Sequence, residues 1–213
     1  MVWSRVAQLY VKSFYQAGQD HSFVGRKSSP IKTLDEQPDQ LPALKLDHLY
    51  RMSDSTGIFQ HASFTVPNFA EGYCTDDNAR ALLLTLMLQQ SGHRSPPINA
   101  LAATYAAFLN HAFDRKSHRF RNFMSFDRRW LEEVGSEDCH GHALWALGFC
   151  MGHAGHSSFH MLAAELFEQA LPVASGFTSP RAWAFTLIGI DEYLRRLSGD
   201  RRTNQIRESL TTK

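Results

Sequence analysis

Apolar and polar positions follow one another in blocks of helical length along this chain. The polar segment at residues 71–80 runs directly into residues 81–88, which are apolar at every position except Thr85. A helix without a polar side is normally buried all round. The pattern therefore predicts charged groups at the mouth of a core, in a polar pocket over the end of a buried helix.

The first 40 residues differ from the rest of the chain in pattern and composition. An amphipathic helix over residues 2–16, within a segment of residues 1–17, is predicted by apolar residues at helical spacing: Val2, Val6, Leu9, Tyr10 and Phe14. Residues 18–40 are polar, contain prolines and predict a linker. An isolated helix of this length needs a surface against which to bury its apolar stripe, and we expect a separate domain to provide that surface.

Residues 41–197 are predicted to form the main body, and residues 198–213 a charged, frayed tail. The first expected helix of the body starts at Leu41 and ends near Ser53. The other expected helices span about residues 76–90, 97–113, 137–151, 157–171 and 180–194. The long loops between them, at residues 58–75 and 120–130, are candidates for a functional role because long ordered loops often carry one.

Charge and cysteine content narrow the class of protein. The chain has 22 basic and 21 acidic residues, for a formal net charge of +1, so there is no electrostatic reason to expect nucleic acid or an anionic membrane as a partner. Its cysteines (Cys74, Cys139 and Cys150) form no close pair in the sequence, which favours a reducing compartment. The chain start lacks a signal-peptide pattern, and residues 81–88 are too short for a membrane span of roughly 20 residues. We therefore expect a cytoplasmic protein with no membrane span.

Three predicted helix starts resemble one another. A carboxylate and a basic group stand four residues apart in the first two, Asp76 with Arg80 and Asp138 with His142, and an Ala-Leu pair follows each. The third start keeps only Arg181 followed by alanine. Helices of a plainer composition, rich in small residues, are predicted between these starts. This alternation predicts an all-α fold of stacked helical hairpins, an α/α toroid with its long loops on one rim. About three hairpins of the six in a closed toroid are expected, so the toroid is predicted to be incomplete.

The candidate catalytic residues are the carboxylates at these helix starts, Asp77, Asp138 and Asp76. Glycoside hydrolysis requires two such groups, one as acid and one as base or nucleophile. Helix capping or structural ion pairing is the favoured explanation for Asp76 and Asp138, because Asp is common at helix starts. Capping explains Asp77 less well, and a role in a pocket is therefore a real alternative for it.

Several other residues are candidates for substrate binding at the same rim. Tyr73 and Trp130 lie in loops where a ring could stack against a sugar, whereas Trp145 lies in an apolar helix that predicts a core position. The remaining candidates are polar: Asn78, Arg80, His61, His140 and Arg181. Neither the histidines nor the cysteines have the spacing of a structural zinc site, so we expect no metal and no other cofactor.

A resemblance to a known family is carried by several motifs. Residues 61–82, which include Val66-Pro67-Asn68 and the run from Gly72 to Leu82, resemble an α/α-toroid domain fused behind bacterial family 4 glycosyltransferases. The later segments that look like the same domain are residues 119–124, 135–138, 141–148 and 179–184. The resemblance covers about residues 41–197, and residues 2–16 are similar to the closing helix of a preceding glycosyltransferase module.

That family is similar to six-hairpin glycosidases, and the resemblance implies a carbohydrate-active domain that acts on or binds a glycan or sugar at the loop rim. It also implies a glycosyltransferase module, encoded upstream, as a partner. The alternatives are a non-catalytic helical docking or glycan-binding module, or an inactive fragment of a split glycosyltransferase-fusion enzyme. Because the toroid is predicted to be half-length, we expect this chain alone to be inactive.

Overall fold

The computed structural model describes residues 3–19, 44–153 and 159–212. Helices account for 65% of the structure and strands for 9%, so the predicted all-α class is confirmed. The chain divides into an N-terminal unit, Met1–Leu44, and a C-terminal unit, Lys45–Lys213. Most of the predicted linker, residues 20–40, lies outside the described residues.

In the N-terminal unit, helix α1 spans Trp3–Gln19, three residues beyond the predicted end; the predicted start at Val2 lies outside the described residues. Tyr10 and Phe14 fall on one side of this helix, as the sequence pattern predicts, and Trp3 lies on the same side. None of the residues of α1 is buried. The apolar stripe of α1 is therefore not buried by the rest of its own unit.

Seven helices are found in the described part of the C-terminal unit. They are α2 (Asp47–Arg51), α3 (Thr75–Gln90), α4 (Pro96–Ala112), α5 (Glu137–His153), α6 (His160–Ala170), α7 (Pro180–Leu194) and α8 (Arg201–Thr211). Five of the predicted helices are confirmed to within three residues at each end. The helix predicted from Leu41 is wrong in extent, because residues 44–46 are not helical and α2 is little more than one turn.

The expectation of a frayed tail is wrong. Asp200 caps α8 by accepting hydrogen bonds from the backbone N–H groups of Arg202 and Thr203. Leu210, near the other end of α8, is buried. A capped helix with a buried apolar anchor belongs to the packed body of the unit.

Short antiparallel strands order the loops. Strand β1 (Ala62–Ser63) pairs with β2 (Val66–Pro67), β3 (Tyr73–Cys74) with β6 (Phe123–Met124), and β4 (Phe113–Asp114) with β5 (Arg119–Phe120). Two 3₁₀ segments, Phe69–Glu71 and Leu171–Gly176, complete the described elements. The β3–β6 pair joins the two long loops directly in front of α3.

The helices of the C-terminal unit pack as three successive pairs. Helix α5 packs against both α3 and α7, and the return helices α4, α6 and α8 pack on α3, α5 and α7 respectively. Helices α5 and α7 run parallel, since Gly141 faces Ala182, Gly148 faces Gly189 and Gly152 faces Glu192. Three hairpins are thus stacked, with the starts of α5 and α7 at the same end.

Candidate functional site

The start of α3 is held by the loop that precedes β6. The backbone N–H of Thr75 donates to the carbonyl oxygen of Asn122 at 2.9 Å, and Asn122 Oδ1 accepts from the N–H groups of Thr75 and Asp76 at 3.1 and 3.4 Å. The Thr75 hydroxyl donates to the carbonyl oxygen of Arg121 at 2.6 Å. Cys74, at the N-cap position, makes no side-chain capping bond. Asn122 therefore caps α3 from a distant loop, and the carboxylates of the first turn are left for other contacts.

Those carboxylates converge on Arg80. Its Nη2 donates to Asp76 Oδ2 at 3.1 Å and makes a shorter contact with Asp77 Oδ1. The guanidinium is about half exposed, at 47%, and the two carboxylates keep 22% and 27% of their side-chain surface exposed. Asp76 is therefore explained by ion pairing and not by capping. Asp77 and Arg80 both keep part of their side-chain surface exposed.

Cys74 completes this cluster from the buried side. Its Sγ lies 2.7 Å from Asp77 Oδ2 and donates the thiol proton to it. Burial, followed by the negative charges of Asp76 and Asp77, raises the pKa of the Cys74 thiol well above its ordinary value. Ligand atoms of these three residues lie within 4.8 Å of one another. Because Arg80 already occupies both carboxylates and the thiol is held protonated, we assign no metal to the cluster.

An open depression of about 320 Å³ lies beside Arg80. Asp77 and Arg80 contribute polar groups to it, as do His48 and Gln60 from the segment around α2. Its remaining walls are apolar: Leu49, Met52, Ile58, Phe59, Ala81 and Leu84. A concave, mostly apolar surface with a few convergent polar groups is the usual form of a small-molecule site.

A second polar cluster links the starts of α5 and α7. Asp138 Oδ1 lies 3.1 Å from Arg181 Nε, and Asp138 Oδ2 lies 3.5 Å from His142 Nδ1. His142 Nδ1 also lies 3.0 Å from the carbonyl oxygen of Asp138. Burial, partly offset by these contacts with Asp138, lowers the pKa of His142, and the charges of Asp76 and Arg80 also act on it. The two polar clusters are therefore electrostatic neighbours across α5.

Aromatic rings adjoin the second cluster. The Arg181 guanidinium lies over the ring of Phe185, 5.6 Å from its centroid. Phe185 in turn stacks on Trp145, with centroids 5.8 Å apart and planes 11° apart. Trp145 is only partly buried, so its predicted core position holds only in part. This aromatic pair gives α5 and α7 a partly exposed apolar surface next to Asp138.

Glu137 joins two helix starts through a contact that the sequence does not predict. Its Oε2 accepts hydrogen bonds from the backbone N–H groups of Thr178 and Ser179 at 2.9 and 2.8 Å. Burial acts to raise the pKa of Glu137, but these two hydrogen bonds, the charge of Arg119 and the Thr178 hydroxyl together outweigh it, and the pKa is lowered. Glu137 therefore fixes the start of α7 against the start of α5. No local signal points to this contact, because its partners are 41 and 42 residues away.

Tyr73 and Asn78 lie beneath the rim and not on it. Tyr73 is 1% exposed, and its hydroxyl donates to Asp54 Oδ2 at 2.6 Å. Burial, together with that hydrogen bond, raises the pKa of Tyr73 to about 12. Asn78 is 0% exposed and bonds the backbone of Ile58 and Cys74. Contrary to expectation, Tyr73 presents no ring face to a ligand, and the amide of Asn78 is used to hold the loop.

Two further predicted binding residues, His61 and Trp130, lie apart from each other and outside the lining of the depression. His61 is exposed, next to the β1–β2 hairpin, and is not among the residues that line the depression. Trp130 is partly buried, its ring 5.4 Å from both the ring of His111 and the guanidinium carbon of Arg121.

His140 is fully buried and lies edge-on to the rings of Phe120 and Phe177. Its Nε2 lies 3.0 Å from the carbonyl oxygen of Ala170 and must donate to it, so the neutral ring carries its proton on Nε2. Burial lowers the pKa of His140 to about 3. His140 is therefore a core residue, and its predicted place at the rim is wrong.

The candidate carboxylates of both clusters are engaged in ion pairs. Each candidate carboxylate contacts an arginine: Asp76 and Asp77 contact Arg80, and Asp138 contacts Arg181. A general acid of a glycosidase needs surroundings that favour its protonated form, such as an apolar pocket without a cation. The clusters instead present paired acceptors and donors beside apolar surface.

None of the described helices is long and apolar enough to cross a bilayer. In comparisons with protein-family models, curated proteins and solved structures, the chain matches none. A function is therefore inferred from the residues of the chain itself.

Proposed function

We propose that the C-terminal unit is a glycan-binding module that holds a sugar in the depression beside Arg80 and performs no chemistry on it. The observation that carries this proposal is the Asp77–Arg80 pair at the wall of a largely apolar depression of about 320 Å³. The ligand is bound by the side chains of α3 together with the loop at residues 58–60. Asp138 and Arg181 hold the neighbouring helix starts in place.

A sugar fits this chemistry for a specific reason. Its ring carries hydroxyl groups around the edge, which both donate and accept hydrogen bonds, and C–H groups on its faces. A carboxylate accepts and a guanidinium donates, so Asp77 and Arg80 together match a pair of neighbouring hydroxyls. Ile58, Phe59 and Leu84 supply apolar contacts for the C–H face.

Binding without catalysis follows from the charge arrangement. Asp77 is held by both Arg80 and the thiol of Cys74, and Asp138 is held by both Arg181 and His142. In these contacts the carboxylates accept hydrogen bonds, whereas the acid of a glycosidase must donate a proton. We therefore expect the chain to bind saccharides and to release no reducing sugar from them.

The experiment is isothermal titration calorimetry with a defined saccharide panel. It contains glucose, mannose and galactose, and the tetrasaccharides maltotetraose, cellotetraose, mannotetraose and galactotetraose. Asp77→Asn is expected to weaken binding of the active saccharide about tenfold, which corresponds to about 1.4 kcal/mol, because the hydrogen bond to a charged group is lost.

Asp191→Asn is the matched control. Asp191 forms a similar exposed pair with Arg195, at 3.3 Å on α7, and does not line the depression. Its substitution is expected to leave affinity unchanged. The proposal is rejected if the wild-type protein binds no member of the panel, or if Asp77→Asn and Asp191→Asn behave alike. Release of reducing sugar by the wild-type protein would overturn its non-catalytic part.

We also propose that this unit belongs to the α/α-toroid domains that accompany glycosyltransferases, and that α1 docks on such a transferase. The stacking of three hairpins with α5 and α7 parallel supports the toroid part. The unburied stripe formed by Trp3, Tyr10 and Phe14 supports the docking part. Coexpression of this chain with the protein encoded immediately upstream tests the docking part.

The two proteins are expected to elute as one complex in gel filtration, and Tyr10→Asp is expected to separate them. Lys12→Asp, on the polar side of α1, is the control and is expected to leave the complex intact. An upstream frame that encodes no glycosyltransferase, or a transferase that elutes separately from the wild-type chain, would refute the docking proposal.

A further inference from the structure

Two phenylalanines from separate loops form an exposed stacked pair. Phe69 belongs to the 3₁₀ turn Phe69–Glu71, and Phe126 lies in the loop after β6. Their ring centroids are 4.7 Å apart and their planes differ by 11°. The two residues keep 51% and 49% of their surface exposed. Exposing half of two large aromatic residues is unfavourable in water, so a ligand that covers the two rings would gain free energy of burial.

The loops hold this pair in position before any ligand arrives. Asn68 Oδ1 accepts from the backbone N–H of Ala70 at 3.2 Å, which fixes the turn that carries Phe69. The backbone N–H of Ser125 donates to the carbonyl oxygen of Arg129 at 2.9 Å and closes the loop that carries Phe126. Arg128 in that loop has a φ of 64°, a conformation that bulky residues rarely adopt. Preorganised aromatic groups lose little conformational entropy on binding.

The stacked pair is continuous with the depression through one residue. The ring of Phe59 lies 4.9 Å from the ring of Phe69 and 6.1 Å from that of Phe126. Phe59 also lines the depression beside Asp77 and Arg80. Phe59 is itself buried, and it therefore places the exposed Phe69–Phe126 pair next to the depression.

We infer that Phe69 and Phe126 form a second subsite, and that the ligand is an oligosaccharide or glycan chain of at least two units. One unit occupies the depression and makes the hydrogen bonds to Asp77 and Arg80. The adjoining unit stacks its C–H face on the exposed rings of the phenylalanine pair. This inference rests on the proposed function, because it extends the same site.

The test compares mono- and tetrasaccharides on the full chain by calorimetry, with the panel named above. The active tetrasaccharide is expected to bind at least tenfold more tightly than its monosaccharide. Phe126→Ala is expected to remove that gain and to leave monosaccharide affinity unchanged. Phe126→Leu keeps an apolar side chain without a flat ring and is expected to remove most of the gain, whereas Phe126→Tyr keeps it.

Leu131→Ala is the control, since Leu131 is an exposed apolar residue, at 65%, in the same loop region. It is expected to change neither affinity. If the tetrasaccharide binds no more tightly than the monosaccharide, or if Phe126→Ala and Phe126→Leu keep the gain, the second subsite is refuted while the proposed function stands. If the wild-type protein binds no saccharide, the proposed function fails and this inference fails with it.

Discussion

The α5–α7 interface and the long loops in front of α3 are packed in opposite ways. These loops, at residues 58–75 and 120–130, are called the loop layer. At the interface the backbones themselves touch, and an added Cβ at Gly148 would lie 2.0 Å from the carbonyl oxygen of Gly189. In the loop layer, buried amide side chains of Asn78 and Asn122 join segments through hydrogen bonds to backbone groups. Steric contact fixes one region and hydrogen bonding fixes the other.

The difference explains where a ligand site is possible. Parallel helices that touch through glycines leave no space between them, and glycine inside a helix costs about 1 kcal/mol relative to alanine. The close packing of α5 on α7 offsets that cost. Loops held by side-chain amides instead leave irregular surface between them, and the depression and the exposed aromatic pair both lie there.

The largest expected effect is at the helix interface. Gly148→Ala is expected to lower the free energy of unfolding by about 3 kcal/mol, because the backbone carbonyl of Gly189 cannot move aside as a side chain would. Urea denaturation followed by circular dichroism measures it. Gly199→Ala, where a Cβ meets nothing within 4 Å, should change stability by less than about 0.5 kcal/mol. Equal effects would show that α5 and α7 are not in close contact.

The next effect tests the loop layer. Asn78→Ala is expected to cost about 2 kcal/mol, because it leaves the partly buried backbone N–H of Ile58, now bonded to Asn78 Oδ1 at 3.0 Å, without an acceptor. The exposed Asn99, which accepts from Gln89, provides the control variant Asn99→Ala, and denaturation of both is compared. A loss no greater than that of Asn99→Ala would contradict the role given to Asn78.

A smaller effect is expected from pH, at the point where the loops meet α5. Burial lowers the pKa of His140 from 6.5 to about 3, so the unfolded chain binds the proton more readily than the folded chain. Stability is therefore full above about pH 6.5 and falls as pH decreases, by at most about 1.4 kcal/mol per pH unit from this residue.

The free energy of unfolding is measured at pH 7.0 and pH 5.5 for the wild-type protein and for His140→Gln. The variant should lose less stability over this interval than the wild-type protein. Some loss should remain in the variant, because the pKa of His142 is also lowered. An equal loss in both proteins would mean that His140 is not buried in its neutral form.

The smallest effect is a gain in stability. Phe64 has a φ of 57° and is 102% exposed at the tip of the β1–β2 hairpin. Asparagine tolerates this left-handed conformation better than phenylalanine does, so Phe64→Asn should raise the free energy of unfolding by about 0.5–1 kcal/mol. Phe64→Val is the opposing variant and should lower it, because a β-branched side chain is strained there. Thermal melting that ranks the two variants in the reverse order would exclude this backbone conformation.

Much of the helical layout is predictable, because the residues that start and end helices and the spacing of apolar residues act locally. Pro180, preceded by Ser179, marks the start of α7, and Ser91 with Gly92 marks the end of α3. The tail was misjudged because its charged composition outweighed the capping signal of Asp200. Leu41 and Leu44 suggested a long first helix, since helical spacing over so short a segment is weak evidence.

The candidate site is predictable only in its local part. Asp76, Asp77 and Arg80 meet because residues three and four apart share one face of a helix. Asn122 reaches the start of α3 from 46 and 47 residues away, and such contacts depend on how the helices stack. For the same reason, neither the burial of His140 nor the pairing of Phe69 with Phe126 has a signal in the local sequence.

The most direct test of the central claim, that the loop layer and not the helix interface binds the glycan, is nuclear magnetic resonance mapping. The ¹⁵N-labelled protein is titrated with the tetrasaccharides of the panel, and amide shifts are followed residue by residue. We predict that the amides of Ile58, Gln60 and Arg80 shift together, while those of Gly148 and Gly189 stay unchanged. Shifts centred on α7 and α8, or no shifts at saturating saccharide, would contradict the claim.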